Sequence, residues 1–168
     1  MLVFTGTFEH QIDAKKRVAI PSEIRALIQE SEETSEDKPT ILYVTLGEDK
    51  ALCIYTRKGF EQRAAELDNS QLDPSELLIY ERLTFSLARR VELDKQGRVL
   101  LPDNLLEMSG LGTEVVLIGV KDHMEIRDRT AWNEHVRSIL AQRPGLLMNP
   151  RRAMKANPTP AAPVVEAK

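Results

Sequence analysis

The sequence contains a single cysteine, Cys53, among its 168 residues. One cysteine cannot form an internal disulfide, and it excludes a zinc site built from several cysteines. Cys53 stands in a short apolar run, so we expect a small strand residue rather than a reactive thiol. The three histidines, His10, His123 and His135, show no metal-ligand spacing such as His-x-x-x-His. The sequence therefore predicts neither a metal site nor a cofactor.

Aromatic residues are also scarce, at 5% of the chain against a hydrophobic fraction of 42%. Aliphatic side chains must therefore build most of the core. No stretch approaches the roughly 18 to 20 apolar residues that a membrane-spanning helix needs. The first residues show neither the basic nor the apolar stretch of a secretory signal. We expect a soluble cytoplasmic protein that has no membrane partner.

Motifs of catalysis are missing as well. The sequence has no Gly-x-Ser-x-Gly nucleophile elbow and no glycine-rich loop that could cradle a phosphate. Its 26 acidic residues are numerous, but no motif singles one out. We expect no enzyme activity, no catalytic residue and no small-molecule substrate. The net charge of −3 argues against indiscriminate binding to nucleic acid.

One ten-residue stretch, in contrast, occurs twice. Residues 12–21 read IDAKKRVAIP and residues 93–102 read LDKQGRVLLP, so the second copy begins 81 positions after the first. A repeat at fixed spacing governs the prediction of the fold. The matched residues are Asp13 with Asp94, Arg17 with Arg98, Val18 with Val99, Ile20 with Leu101 and Pro21 with Pro102.

Each copy predicts a strand, a polar turn, a second short strand and a helix that begins at the proline. In the second copy Gly97 can supply the positive φ that a tight turn needs. The aspartate can accept hydrogen bonds from turn N–H groups, or it can pair with the arginine across the turn. A single copy would indicate a locally satisfied turn with a salt bridge. Two copies favour a functional module.

The two Asp-x-x-x-Arg motifs resemble those of the MraZ family, whose two repeats belong to the AbrB-like (SpoVT-AbrB) superfamily. That family usually has Asp-x-x-Gly-Arg, which the second copy here matches. The first copy departs from the pattern, because Lys16 stands where the family has glycine. The resemblance extends over residues 1 to about 141.

The resemblance implies a sequence-specific DNA-binding transcriptional regulator, in most cases a repressor. It implies a ring-shaped homo-oligomer that binds double-stranded DNA at promoter repeats of a division and cell-wall gene cluster, and a nucleoid-associated location. The turns offer the cations that such binding needs, because arginine and lysine bind phosphates and arginine also binds guanine edges. We expect DNA contacts from Lys15, Lys16, Arg17, Lys95 and Arg98, and we expect Asp13, Asp94 and Gly97 to orient the turns.

The expected fold is mixed α/β (α+β). By resemblance, two AbrB-like halves with swapped hairpins form a small pseudo-dimeric β-barrel with peripheral helices. The first repeat covers residues 1–70, a linking helix covers 71–84, the second repeat covers 85–142, and a disordered basic tail rich in proline and alanine covers 143–168.

Periodicity and turn signals place the individual elements. Aligning Ile54 with Ile126, and Phe60 with Trp132, gives an offset of 72, so an acidic insertion is present only in the first half. Trp132 is expected in the core. The predicted strands are 3–12, 40–46, 51–55, 85–93, 115–120 and 124–127, the predicted helices begin near residues 21, 56, 74, 102 and 130, and an acidic loop covers 29–38.

Two other functions remain open from the sequence. A ring-shaped scaffold could bind a protein partner through the acidic loop 29–38. An antitoxin-like DNA binder could mask a toxin with its tail.

Overall fold

The structure is a computed structural model that describes residues 2–31 and 38–147. The chain divides into two units, Met1–Trp132 and Asn133–Lys168. No helix among the described residues is long and apolar enough to cross a bilayer. In chain order the elements are β1 (Thr7–Gln11), β2 (Arg17–Ala19), α1 (Ser22–Ser31), β3 (Ile41–Leu46), a 3-10 turn (Glu48–Lys50), β4 (Leu52–Thr56), α2 (Arg57–Leu67), α3 (Pro74–Leu87), β5 (Arg89–Glu92), β6 (Arg98–Leu100), α4 (Asp103–Ser109), β7 (Glu114–Val120), β8 (His123–Asp128) and α5 (Arg129–Gln142).

Strands from the two sequence repeats are interleaved in one antiparallel sheet. Its six strands lie in the order β1-β7-β8-β4-β3-β5, so each repeat contributes one edge strand that pairs with a strand of the other repeat. The two repeats also meet in the middle of the sheet, where β4 pairs with β8. A separate two-stranded ribbon joins β2 to β6.

Two of these pairings relate the halves by an approximate two-fold axis. In the ribbon Val18 pairs with Val99, and these residues occupy the same position in the repeated stretch. In the large sheet Cys53 pairs with Glu125, which is its equivalent at the offset of 72. Residues that pair with their own equivalents lie at the centre of a two-fold arrangement. This pseudo-symmetry accounts for the repeat in the sequence.

The mixed α/β class is confirmed by this architecture. Within the described residues, hydrogen bonding of the large sheet runs from β1 to β5, and no pairing of these two edge strands closes a barrel there.

Local signals explain where the helices begin and end. The Thr56 side chain accepts a hydrogen bond from the N–H of Gly59 at the start of α2. Asp73 accepts one from Ser75 at the start of α3, where Pro74 takes the first helical position. Gly110 ends α4 with φ of 66°. The starts of α2 and α3 agree with the helix starts near residues 56 and 74 that the sequence predicted.

The core is built almost wholly from aliphatic side chains, as the low aromatic content predicts. Phe4 is the one aromatic member of the main buried cluster in the part of the chain that the structure describes. The aliphatic side chains of that cluster come from both repeats, so neither half has a complete core of its own. They include Val18, Ile20, Ile24, Ile28, Leu42, Ile54, Val99, Leu101, Leu105, Leu117 and Ile126.

The predicted strand 85–93 is too long, because residues 85–87 belong to α3 and β5 begins at Arg89. Tertiary contacts favour the longer helix. The Phe85 ring packs edge-on against Phe60 with centroids 5.5 Å apart, and Thr45 Oγ1 donates a hydrogen bond to the Thr84 carbonyl. Phe60 and Thr45 are distant from α3 in the sequence, so the local residue pattern could not predict these contacts.

Other predicted element boundaries also differ from those in the structure. The predicted strand 3–12 is shorter in the structure, where only β1 is formed and Phe4 is joined to Lys121 by an isolated bridge. The predicted acidic loop 29–38 begins as helix, because α1 continues to Ser31, and residues 32–37 lie outside the described residues. Of the predicted tail 143–168, residues 143–147 follow α5 as a turn and the rest lies outside the described residues.

Trp132 does not lie in the core as predicted. It is half-buried, no residue of α5 is fully buried among those described, and the guanidinium of Arg127 lies 5.6 Å from the centre of the indole ring. The apolar spacing in α5 gave the right helix but overstated its burial.

Candidate nucleic-acid interface

The first repeated turn, Asp13–Arg17, is held together by its own aspartate. Asp13 Oδ1 accepts hydrogen bonds from the backbone N–H groups of Lys15 and Arg17, both at 2.9 Å. Its other oxygen accepts from Arg17 Nε at 2.8 Å. The backbone closes the turn, because the N–H of Asp13 donates to the Arg17 carbonyl. The turn is therefore held by hydrogen bonds made within itself.

The second turn, Asp94–Arg98, repeats this arrangement. Asp94 Oδ1 accepts from the N–H groups of Gln96 and Arg98 at 2.9 Å, and Oδ2 accepts from Arg98 Nε at 2.9 Å. The same set of three bonds at matched positions shows that Asp-x-x-x-Arg specifies one turn geometry. Both roles that the sequence suggested for the aspartate, turn acceptor and arginine partner, are present together.

These hydrogen bonds stabilise the ionised form of both carboxylates. The pKa of Asp13 is lowered chiefly by the backbone hydrogen bond from Arg17, with the side chain of Arg17 adding to the effect. The pKa of Asp94 is lowered in the same way by Arg98. The two aspartates are therefore charged throughout the neutral range, and each opposes part of the charge of its arginine.

The arginines keep donors that the turn does not use. The Arg17 and Arg98 side chains are 27% and 28% exposed, and each contacts its aspartate through Nε. Within residues 2–31 and 38–147, neither arginine donates a hydrogen bond from its Nη groups. Each guanidinium can thus hold its turn through Nε and offer its two Nη amino groups, which carry four of its five N–H donors, elsewhere.

The ribbon of β2 and β6 sets the distance between the turns. Arg17 pairs with Leu100 and Ala19 pairs with Arg98, so the two arginines lie at opposite ends of a three-residue ladder. Two steps along a strand amount to about 7 Å. Each turn also bonds to the other strand: Ile20 N–H donates to the Gly97 carbonyl and Leu101 N–H donates to the Lys16 carbonyl.

Lys16 and Gly97 adopt the same left-handed conformation at equivalent positions. Their φ values are 62° and 76°, so the lysine accepts a backbone geometry that glycine adopts without strain. The departure of the first copy from the glycine of the family pattern therefore leaves the turn geometry unchanged. Lys16 Nζ is 2.8 Å from Asp103 Oδ1 in an exposed ion pair.

A side chain of the other repeat lies above the second turn. A Cβ built on Gly97 would lie 2.7 Å from the guanidinium carbon of Arg25, which belongs to α1 of the other repeat. Arg25 Nε is buried and has no hydrogen-bond partner among the described residues. Arg25 adds a cation beside the second turn. Sequence reasoning missed it because its equivalent position in the second repeat, Leu106, carries no charge.

The structure thus places all five predicted DNA-binding residues in two turns at the ends of one ribbon. Lys15, Lys16 and Lys95 are exposed, while Arg17 and Arg98 are partly buried against their aspartates. The ribbon brings the two motifs close together although they are far apart in the sequence. Each turn approaches the helix of the opposite repeat, α4 at the first turn and α1 at the second.

A second polar cluster lies in the large sheet, away from the repeated motifs. Ligand-type atoms of Cys53, His123 and Glu125 lie within 4.8 Å of one another, and these three residues could hold a metal ion. Burial alone would lower the pKa of His123, but hydrogen bonds to Cys53, Glu125 and Asp122 raise it to about 10. The pKa of Glu125 is lowered, first by its hydrogen bond with His123.

The sequence did not predict this cluster, because its three residues show no metal-ligand spacing along the chain. Cys53 and Glu125 are 72 residues apart and meet only through the pairing of β4 with β8. The offset of 72 that aligned Ile54 with Ile126 could have predicted that these two residues meet. It equates positions 53 and 125, and a two-fold pairing of the halves would have placed them opposite each other.

Comparison with known proteins gives one family. The family model described as "MraZ protein, putative antitoxin-like" matches residues 3–80 and 84–144. The Transcriptional regulator MraZ of Mycoplasmoides gallisepticum is 34% identical over 132 residues, which cover 79% of this chain and 86% of that protein. The protein of the same name from Acetivibrio thermocellus is 33% identical over 133 residues, covering 79% and 86%. That from Moorella thermoacetica is 34% identical over 140 residues, covering 83% and 91%.

Proposed function

Since the chain belongs to the MraZ family, we propose that it is a transcriptional regulator that binds double-stranded DNA through its two Asp-x-x-x-Arg turns. The observation that carries the proposal is the pair of turns with matched hydrogen bonds at the ends of one ribbon, each presenting lysine at its tip. Such turns give two matched contacts at fixed separation, as a repeated DNA surface requires.

Each residue type has a separate role in this proposal. Lys15, Lys16 and Lys95 bind phosphate oxygens as exposed point charges, which sets position and affinity but reads no sequence. Arg17 and Arg98 keep Nε on the aspartate and direct their Nη groups to the DNA, where arginine prefers guanine edges or phosphates. The aspartates hold the arginines in place, so less side-chain entropy is lost on binding.

The proposal includes assembly into a homo-oligomeric ring on promoter repeats. A chain with net charge −3 and a few cations in its turns binds one short DNA box weakly. Several linked chains on several boxes bind tightly because the later contacts are made at high effective concentration. Large exposed aliphatic side chains on α3, among them Ile79 at 59% and Leu83 at 58%, support contact with a second copy.

The family resemblance supports three further parts of the proposal. The protein represses transcription at repeats upstream of a division and cell-wall gene cluster, it associates with the nucleoid, and its strands close into a pseudo-dimeric barrel. The boundaries of the repeats at 1–70 and 85–142, with the linking helix 71–84 between them, also stay predictions. The approximate two-fold pairing of the halves supports the division into two repeats.

The direct test is binding to DNA from upstream of this protein's own gene. Fluorescence anisotropy with one, two and three repeats should show affinity rising steeply with repeat number and falling with salt, since phosphate contacts release counterions. The Arg17→Ala/Arg98→Ala variant should lose about 1–3 kcal/mol of binding free energy per site. Lys15→Ala/Lys95→Ala should weaken binding to all sequences and reduce the salt dependence.

The matched control is Arg57→Ala/Arg82→Ala, which removes two guanidinium groups from α2 and α3 and should retain wild-type affinity. Each variant is checked for folding by circular dichroism and for assembly by light scattering. Wild-type binding by a folded, assembled Arg17→Ala/Arg98→Ala variant would exclude the turns as the DNA contact. Equal affinity for one and three repeats would exclude the multivalent mode.

The description of the family as antitoxin-like favours a second candidate function, a DNA binder that also masks a toxin. Its masking segment would be the tail 143–168, most of which lies outside the described residues. Co-purification of the full-length protein with the product of an adjacent gene, lost on removal of residues 148–168, would support it. Absence of any such complex would leave DNA binding alone.

A further inference from the structure

The central pairing of the large sheet brings three metal-ligand side chains onto one face. Cys53 of β4 lies directly opposite Glu125 of β8, so their side chains are on the same side of the sheet. His123 precedes Glu125 by two residues and shares that side, because side chains alternate along a strand. The closest ring nitrogen of His123, Nε2, is 3.2 Å from Glu125 Oε1.

We propose that Cys53, His123 and Glu125 bind a divalent transition-metal ion, with Zn²⁺ as the best match. A thiolate, an imidazole and a carboxylate are all ligands that zinc takes in proteins, and a soft thiolate disfavours Mg²⁺ and Ca²⁺. Zinc bonds of about 2.0–2.3 Å place tetrahedral ligands roughly 3.5 Å apart. The three ligand atoms lie within 4.8 Å of one another, so modest side-chain rotation brings them to an ion.

The orientation of the histidine is set by groups around it. His123 Nδ1 is 2.9 Å from Asp122 Oδ1, and the imidazole ring stacks on Tyr55 with centroids 4.9 Å apart. A carboxylate on one ring nitrogen directs the other nitrogen toward a metal, which is the usual outer partner of a zinc-bound histidine. Nε2 is thus the nitrogen that would bind.

The carboxylate is oriented by a comparable partner. Glu125 Oε2 accepts a hydrogen bond from Arg127 Nε at 2.6 Å, which leaves Oε1 on the side of His123. Arg127 can keep this bond while Oε1 binds an ion. The two outer partners, Asp122 and Arg127, therefore fix both ligands without occupying the atoms that would face the metal.

The site also has room for an ion and for a fourth ligand. A cavity of about 700 Å³ is lined by Cys53, His123 and Glu125 and is bounded by Tyr80 and Thr84 of α3. Glycine at position 47 leaves room for the thiol, because a Cβ there would lie 2.3 Å from Cys53 Sγ. Water from the cavity can complete a four-coordinate ion. Protons that leave Sγ and Nε2 on binding pass to solvent.

The proposed site lies where the two repeats join. Cys53 and Glu125 are equivalent residues on the pseudo-two-fold axis, one from each half, and a bound ion would link them directly. Such an ion stabilises the folded chain by mass action, because the unfolded chain has no preformed site. This inference does not rest on DNA binding.

The test uses the full-length protein, freed of any purification tag, with Zn²⁺ and Co²⁺ as probes. Isothermal titration should give one Zn²⁺ per chain and a melting temperature raised by several degrees at saturation. Co²⁺ should give a thiolate charge-transfer absorption band. Cys53 is the only cysteine in the sequence, so this band identifies it without any substitution.

Variants then test each ligand. His123→Gln and Glu125→Gln should each lose the stoichiometric binding, Cys53→Ala should lose the cobalt band, and Asp122→Asn should weaken affinity about 10- to 100-fold as an outer partner. The matched control is His10→Gln, which removes a different imidazole and should bind as wild type. If Cys53→Ala does not fold, the cobalt spectrum of the wild type still decides the role of Cys53.

Two results would overturn the proposal. They are a wild-type protein without a cobalt–thiolate band, or zinc binding unchanged in both His123→Gln and Glu125→Gln. Loss of zinc binding in His10→Gln together with the second result would indicate an adventitious site elsewhere on the surface.

Discussion

At the scale of single residues, the two turns show how one geometry accepts two side chains. Lys16 and Gly97 have the same left-handed backbone, with φ of 62° and 76°. A Cβ at 97 would meet the Arg25 guanidinium, whereas Lys16 extends from its turn to an exposed ion pair with Asp103. The difference therefore lies in the neighbouring helix and not in the turn itself.

This difference predicts unequal effects of alanine at the two positions. Gly97→Ala should lower the free energy of unfolding by about 1–3 kcal/mol, through left-handed strain and contact with Arg25. Lys16→Ala should change it by less than about 1 kcal/mol, because a side chain is already present and the exposed ion pair contributes little. Urea denaturation measures both. Adding Arg25→Ala to Gly97→Ala should recover part of the loss, and full stability of Gly97→Ala would contradict the argument.

The aspartates predict a pH dependence of stability. The folded-state pKa values of Asp13 and Asp94 are lowered from 3.8, so their contribution is present above that value and is lost as pH falls through the lower folded values. Thermal unfolding from neutral pH into the acid range should show stability decreasing below about pH 4. Asp13→Asn/Asp94→Asn should be less stable at neutral pH and should lose less on acidification.

The control for this experiment is Glu107→Gln/Glu134→Gln, which removes two carboxylates outside the turns. It should follow the wild-type pH profile. A double aspartate variant with the full wild-type acid dependence would show that other carboxylates determine it.

The sequence could predict the aspartate bonds because all of their partners lie within four residues. It could not predict the place of Arg25, whose neighbour Gly97 is 72 positions away and belongs to the other repeat. Local chemistry is visible in a single sequence, and the packing of one repeat against the other is not.

At the scale of elements, one end of α3 could be predicted from the sequence and the other could not. The start near residue 74 was predicted, but the end at Leu87 depends on contacts of Phe85 and Thr84 with residues that are distant in the sequence. No residue of α3 is fully buried among those described, although the helix is rich in leucine and isoleucine. An exposed aliphatic helix face of this kind is typical of an interface.

Charge on that face should therefore disrupt the proposed assembly of several copies. Ile79→Glu/Leu83→Glu replaces two residues one helical turn apart, and light scattering should show a lower molar mass than the wild type with unchanged circular dichroism. DNA affinity for three repeats should fall toward that for one repeat, since multivalency is lost.

Val3→Glu is the matched control, because Val3 is 43% exposed and lies outside α3. It should assemble as the wild type does. An Ile79→Glu/Leu83→Glu protein of unchanged mass would show that α3 does not form the contact between copies.

At the scale of the whole molecule, the repeat predicted a two-fold relation but not its details. The offset of 81 in the turns and 72 in the hairpins identified equivalent residues, and the pairs Val18–Val99 and Cys53–Glu125 fall on them. The strand order of the large sheet could not be read from periodicity, because alternation shows that a strand has a buried face and not which strand it pairs with.

Interleaved strands also govern how the chain can fold while it is being made. β1 pairs with β7, so Thr7 cannot form its pair until Ile118 has been synthesised, and β4 likewise cannot pair until β8 has been synthesised. At about 5–20 residues per second, a ribosome needs on the order of 5–20 s to synthesise the missing partners. During that interval the first repeat has unpaired strand edges and an incomplete core. We therefore expect a nascent chain of this protein to expose unpaired strands until the second repeat emerges and completes the sheet.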